Sequence, residues 1–206
     1  NADKMTIKIT PDTITIEDNG HGMDETTARH AIRLGISEKN PLVNVGFRGI
    51  GIYSAFNLCN LAEIYTRADG QDERKITFNF KNMRDELKKE QERRKEGHPS
   101  ELYLEKILRD SVYIEISSEH VIVKPKGTKI IFSNLLDEVY QRLNNWGEVS
   151  GYLHDVVPLP FRPDFKYKSI IEKKLVEAKD KIVAITLIIG NKEDQLFRPY
   201  HDGIFT

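Results

Sequence analysis

Two glycine clusters constrain this chain more than any bulk property. Gly20 and Gly22 follow a pair of short alternating apolar segments, and Gly46, Gly49 and Gly51 stand directly before an apolar run. In the first, Thr6–Thr10 and Thr13–Glu17 alternate Ile7 and Ile9, then Ile14 and Ile16, with polar residues. Pro11-Asp12 between them supplies the turn, so the pattern predicts a hairpin with one buried face. It runs into Asp18-Asn19-Gly20-His21-Gly22-Met23, where the glycines permit positive φ and a close approach of ligand to backbone. Asp18 ends the second strand, and its carboxylate can accept from an exocyclic amine such as adenine N6. In the second cluster, Gly46-Phe47-Arg48-Gly49-Ile50-Gly51 opens Ile52–Leu58, a segment apolar nearly all round that reads as a buried helix. Backbone N–H groups freed by glycines at such a place form an anion site suited to phosphates. One turn can hold a base and the other a polyphosphate.

The remaining pattern is that of a mixed domain. Asp24 is placed to cap a short helix through Thr27, Ala31 and Leu34. Residues Ala62–Arg67 and Lys75–Phe80 read as strands around a turn at Asp69-Gly70. Residues Lys81–Gly97 read as a solvated helix, with Asp85–Lys89 and Glu90–Arg94 at i,i+4. Val112–Ile116 and Lys129–Phe132 are further strands, and Leu135–Leu143 is a helix. Pro158, Pro160 and Pro163 break regular structure. They place a boundary near Val157, with a domain that carries both glycine clusters over residues 1–157 and a linker plus the start of a second α/β unit over residues 158–206. A helix near Ile170–Ala178 and a β-rich run at Ile182–Ile189 complete that second part.

Composition excludes several classes. With 31 Lys and Arg against 32 Asp and Glu, the net charge is −1, which gives no reason to expect nucleic acid as the main ligand. A single cysteine, Cys59, excludes an internal disulfide and points to a reducing, cytoplasmic compartment. No apolar run approaches the ~20 residues of a membrane helix. None of the six histidines pairs at metal-ligand spacing, which argues against a zinc site; His21, between the two glycines, can face a ligand or solvent.

Three segments together resemble a known superfamily. Asp18-Asn19-Gly20-His21-Gly22-Met23 is similar to the D-x-G-x-G box of the gyrase, HtpG-type chaperone, histidine kinase and MutL ATPases. Gly46–Gly51 with Tyr53-Ser54-Ala55-Phe56 is similar to their G-x-x-G-x-G box, in a form close to HtpG-type chaperones and MORC ATPases. Gly127-Thr128-Lys129-Ile130 matches their late G-T-x-I box. The resemblance implies a Bergerat fold, an α+β sandwich whose mixed, largely antiparallel sheet is backed by helices, with ATP or ADP and Mg²⁺ on the helical side. It implies that Asp18 binds adenine N6 directly and through a water completed by Gly22 and Thr128. Gly20 belongs to the same turn, and Met23 would line the base. Gly46, Phe47, Arg48, Gly49, Ile50 and Gly51 would face the phosphates. Lys39, in the lid of residues 35–45, is either a phosphate ligand or a solvated loop lysine.

One part of the pattern is not found. The superfamily's first helix carries a water-activating Glu and a Mg²⁺-binding Asn, and here the first strand begins at about Met5. Asn1 falls in the linker after that helix, or is the metal-binding Asn itself. Neither reading supplies the catalytic Glu from this chain, and no general base is assigned. The resemblance implies ATP-dependent lid closure and, in the intact parent, hydrolysis and homodimerisation on ATP binding, with the client protein or nucleic acid unspecified. A non-hydrolysing binding module with a degenerate pocket is the alternative, and a histidine-kinase domain a further one.

Overall fold

The apolar alternation forms the hairpin it predicts. β1 (Lys4–Ile9) and β2 (Thr13–Asp18) pair antiparallel, with Ile7 opposite Ile16 and Ile9 opposite Ile14. The Thr10 N–H donates to the Thr13 carbonyl at 2.9 Å across Pro11-Asp12. A computed structural model of the chain describes residues 2–33, 51–99, 103–178 and 181–198. The lid of residues 35–45, Lys39 and Gly46 to Ile50 lie outside the described residues.

Asp24 caps α1 (Glu25–Ala31), its carboxylate accepting the Thr27 N–H at 2.7 Å. The apolar run after the second glycine cluster differs from its expected form. Ile52–Asn57 is a 3-10 helix in which Ala55 alone is buried, because the chain is already extended at Cys59. Two strands, β3 (Cys59–Arg67) and β4 (Arg74–Asn79), follow, then the charged α2 (Phe80–Lys95). In α2 the Glu90–Arg94 pair forms, whereas Asp85 pairs with Lys81 and Lys89 with Glu86. Next come α3 (Leu104–Ser111), β5 (Val112–Ile116) and β6 (Gly127–Leu135). The last elements are α4 (Val139–Leu143), α5 (Trp146–Val156), α6 (Lys168–Glu177), β7 (Ala184–Ile189) and β8 (Lys192–Leu196).

All eight strands form one sheet in the order β5-β4-β3-β6-β2-β1-β7-β8. Every neighbouring pair is antiparallel except β1 with β7. The register sets Ile14, Phe132, Ala62 and Phe78 in one row and Ile16, Ile130, Ile64 and Ile76 in the next. These rows share a face, and the helices pack on it. Phe80, Met83 and Ile107 of α2 and α3 cover one half, and Trp146, Val149 and Leu153 of α5 cover the other. Phe132 and Leu135 touch both halves. The opposite face carries Glu63, Lys75, Glu17 and Lys129, paired at 2.8 Å and 3.7 Å. This is the mixed, mostly antiparallel α+β sheet backed by helices that the motifs imply.

The sheet does not stop at Val157. β7 alternates buried and half-buried residues and lies parallel to β1, while β8 pairs with β7. Leu159, Ile185, Leu187 and Leu196 share a buried cluster with Ile9 and Ile14. Among the described residues, a division into 1–157 and 158–206 therefore runs through a single sheet.

Candidate nucleotide site

Three strands deliver their ends to one place. Asp18 ends β2, Thr128 is the second residue of β6 and Thr66 lies near the end of β3. The register sets Asp18 opposite Thr128 and Thr128 opposite Thr66. All three side chains therefore stand in one row on the helix-packed face, directly beyond the Ile16–Ile130–Ile64 row. The Thr66 and Thr128 hydroxyls are 3.3 Å apart. Asp18 Oδ1 accepts the Gly20 N–H at 2.7 Å, and Oδ2 has no partner among the described residues.

The turn after β2 is held against this row by contacts that only small residues allow. Gly22 has φ +67°, and a Cβ there would fall 1.9 Å from the Arg67 carbonyl oxygen. Its neighbour Met23 donates its N–H to Thr66 Oγ1 at 2.8 Å and packs against the core under α2 and α3. Gly20 is buried and lacks the positive φ expected of it; a Cβ there would sit 2.8 Å from Asp18 Oδ1, so closeness is what fixes glycine. Gly127, at φ +148°, leaves no room for a Cβ, which would meet the Asp18 carbonyl at 2.6 Å. Asn19 ties the turn to β1, its Oδ1 accepting the Asp3 and Lys4 N–H groups, each at 3.1 Å. His21 is exposed.

A second set of contacts fixes the loop that leads into Thr128. The Glu73 side chain is buried, and its carboxylate accepts the Val121 N–H at 3.0 Å and the Ile122 N–H at 2.6 Å. Burial pushes this carboxyl up, but the Ile122, Ser117 and Val121 hydrogen bonds and the Arg67 charge outweigh it and hold it below its ordinary value. Arg67 donates to the Ile122 and Lys124 carbonyls of the same loop. Arg74, opposite Thr66 on β4, pairs with Glu25 of α1 at 3.2 Å.

Of the residues that the sequence singles out, Asp18, Gly20, Gly22, Met23 and Thr128 come together here. Gly51 is exposed at the start of the 3-10 helix, where its carbonyl accepts from Ser54. Lys39, Gly46, Phe47, Arg48, Gly49 and Ile50 lie outside the described residues. Thr66, Asn19, Arg67 and Glu73 are additions of the structure. Among the described residues no group of three His, Cys, Asp or Glu side chains is placed to hold a metal. No described side chain is thereby assigned to Mg²⁺. No described helix is long and apolar enough to cross a membrane.

A helix layer on one face of a largely antiparallel sheet, with an acidic turn at the strand ends, is the architecture expected of an ATPase-type ATP-binding domain. Residues 1–111 match the family described as histidine kinase-, DNA gyrase B-, and HSP90-like ATPase. That match covers more than half of the chain, and the chain belongs to this family. It is also similar to a putative type II restriction enzyme, HgiDII, of Herpetosiphon aurantiacus, at 35% identity over 77 residues. The matched stretch is 34% of this chain and 13% of that protein, so the chain spans a small part of that relative's length.

Proposed function

We propose that this domain binds ATP with its adenine against Asp18 and couples nucleotide binding, and hydrolysis in the intact parent, to a conformational change. The observation that carries this reading is the row Asp18–Thr128–Thr66 beneath the Gly20–Met23 turn. With Oδ1 engaged by Gly20, Asp18 Oδ2 is the acceptor left for adenine N6. The two threonine hydroxyls can hold a water between base and sheet, since each donates one hydrogen and accepts others. Met23 supplies an apolar wall. The Gly46–Gly51 segment contributes phosphate-binding N–H groups by its resemblance to the G-x-x-G-x-G box, and Lys39 is a further phosphate ligand of the lid. Mg²⁺ would accompany the phosphates as in related ATPases, with its protein ligands unassigned in this chain.

In this reading ATP orders residues 35–45 as a lid, and closure favours pairing of two ATPase domains. Hydrogen exchange across residues 35–45 is expected to slow on adding a non-hydrolysable ATP analogue, and equal exchange in both states removes the switch. Calorimetry with ADP and Mg²⁺ tests the site directly: a folded chain that binds neither ADP nor adenosine refutes it.

The similarity to a putative restriction enzyme favours a DNA-processing parent over a chaperone. A full-length protein whose ATPase rate rises with duplex DNA, and not with unfolded polypeptide, supports that choice. No hydrolysis under either condition favours a non-hydrolysing module.

A further inference from the structure

The two edges of the sheet are built differently. β8 exposes Lys192, Glu193, Asp194 and Gln195, charges and amide that discourage strand addition. β5, at the other edge, reads Val112-Tyr113-Ile114-Glu115-Ile116, with Tyr113 49% and Ile116 63% exposed. Tyr103 and Leu104 at the start of α3, and Val123 in the following loop, are exposed as well. Large apolar side chains thus concentrate around an edge strand that carries a single charge, Glu115.

The hydrogen-bond phase of β5 is set by its end. The Ser117 N–H donates inward to the Glu73 carbonyl at 2.8 Å, so Glu115 and Tyr113, in step with it, also bond to β4. Ile114 and Ile116 then direct their N–H and C=O groups outward, as does the Val112 carbonyl. The Val112 N–H is taken by the Leu108 carbonyl at the end of α3.

We propose that β5 pairs antiparallel with β5 of a second copy of this chain, about a two-fold axis at Ile114. The sequence is self-complementary in that register. Val112 faces Ile116 of the second copy, Tyr113 faces Glu115, and Ile114 faces itself, so no like charges meet. The main chain fits too. The two Ile114 residues exchange two hydrogen bonds, and each Ile116 N–H reaches the opposite Val112 carbonyl. The Val112 N–H, which would otherwise complete each outer pair by donating to the opposite Ile116 carbonyl, is already taken by Leu108 in its own chain, so four main-chain hydrogen bonds form and the two Ile116 carbonyls are left to solvent. Two eight-stranded sheets thereby become one continuous sheet. Pairing through one short strand is a small interface, so the dimer is weak and concentration-dependent, and it requires no nucleotide.

Sedimentation velocity of this chain without nucleotide, over a rising concentration series, is expected to show monomer and dimer in exchange. Tyr113→Glu sets two carboxylates opposite each other at both symmetric positions and is expected to weaken association roughly tenfold. Adding Glu115→Lys restores opposite charges and recovers the dimer; Lys75 beside it on β4 is already held by Glu63 and Glu119. Ile116→Lys is expected to weaken association to a similar degree by breaking the apolar pair. Positions 113, 115 and 116 are exposed, and circular dichroism with thermal melting checks that each variant stays folded. A parent chain that remains monomeric throughout the series overturns the proposal. So does a dimer that Tyr113→Glu and Ile116→Lys leave at full strength, or a folded double variant that fails to recover.

Discussion

Replacing Asp18 by Asn changes a single atom type at the centre of the site, and the geometry says what is lost. Oδ1 is committed to the Gly20 N–H at 2.7 Å, and Oδ2 is left for the ligand. An amide keeps one acceptor. If its oxygen stays on Gly20, its NH₂ faces the adenine amine, donor against donor. If the amide turns over, the NH₂ meets the Gly20 N–H and the turn loses its anchor. Either way one hydrogen bond to a carboxylate disappears, worth about 1.5–3 kcal/mol. That converts to a loss of roughly tenfold to about 150-fold in ADP affinity. Titration calorimetry of parent and Asp18→Asn at neutral pH, with melting curves of both, reads the difference. A folded variant that binds ADP as tightly as the parent refutes the placement of the base.

Other perturbations address how the site is held. Gly22→Ala forces a Cβ against the Arg67 carbonyl at positive φ and is expected to cost about 2–5 kcal/mol in urea unfolding. Gly70→Ala, at φ +70° but in open space, should cost about 1–2 kcal/mol; equal losses would mean that the Gly22 contact is soft. Thr66→Val keeps the shape but strands the Met23 N–H, a loss of about 1–3 kcal/mol that should show as faster exchange of the Met23 amide. Glu73 has a carboxyl held below its ordinary 4.5 in the folded state. Its contribution is therefore complete above about pH 4.5 and disappears as pH falls through the lower folded value. Glu73→Gln should remove that part of the acid-side loss of stability, and an unchanged acid limb would count against the role of the carboxylate.

The parts of this fold that were legible in the sequence are those set by local pattern. The β1–β2 hairpin, the Asp24 cap and β5 follow from alternation and turn chemistry over a few residues. The gathering of Asp18, Gly22, Met23 and Thr128 was legible through motif resemblance. Thr66 was not, because a threonine in a strand looks like any β-former until the register sets it beside Thr128. The 3-10 segment Ile52–Asn57 misleads in the same way: uniform apolarity suits a buried helix, yet β3 takes the chain over at Cys59. α5 contains Gly147 and Gly151, poor helix residues, and forms because Asn145 caps it and Trp146, Val149 and Leu153 find a core to bury against. β8 has no β-propensity in Lys-Glu-Asp-Gln-Leu. The Gly190-Asn191 pair before it, with Gly190 at φ +59°, is the hairpin signal that would have exposed it. Pairing of β7 with β1 is parallel and long-range, and nothing local encodes it.

The row that contains Asp18 also runs the full width of the sheet, from Leu196 through Ile185, Met5, Asp18, Thr128, Thr66 and Arg74 to Ile116. Eight strands make seven steps, each carrying a natural rotation of about 20–25°. Rotations about a common axis add. A ligand seated near the middle that flattened each step by about one degree would turn the outer strands by about seven degrees relative to each other, on the same scale of twist. At about 4.8 Å per step the row is about 34 Å long. In a sheet of this width a small change of twist at each strand step would add up, so the outer strands would turn furthest for the least adjustment beside Asp18.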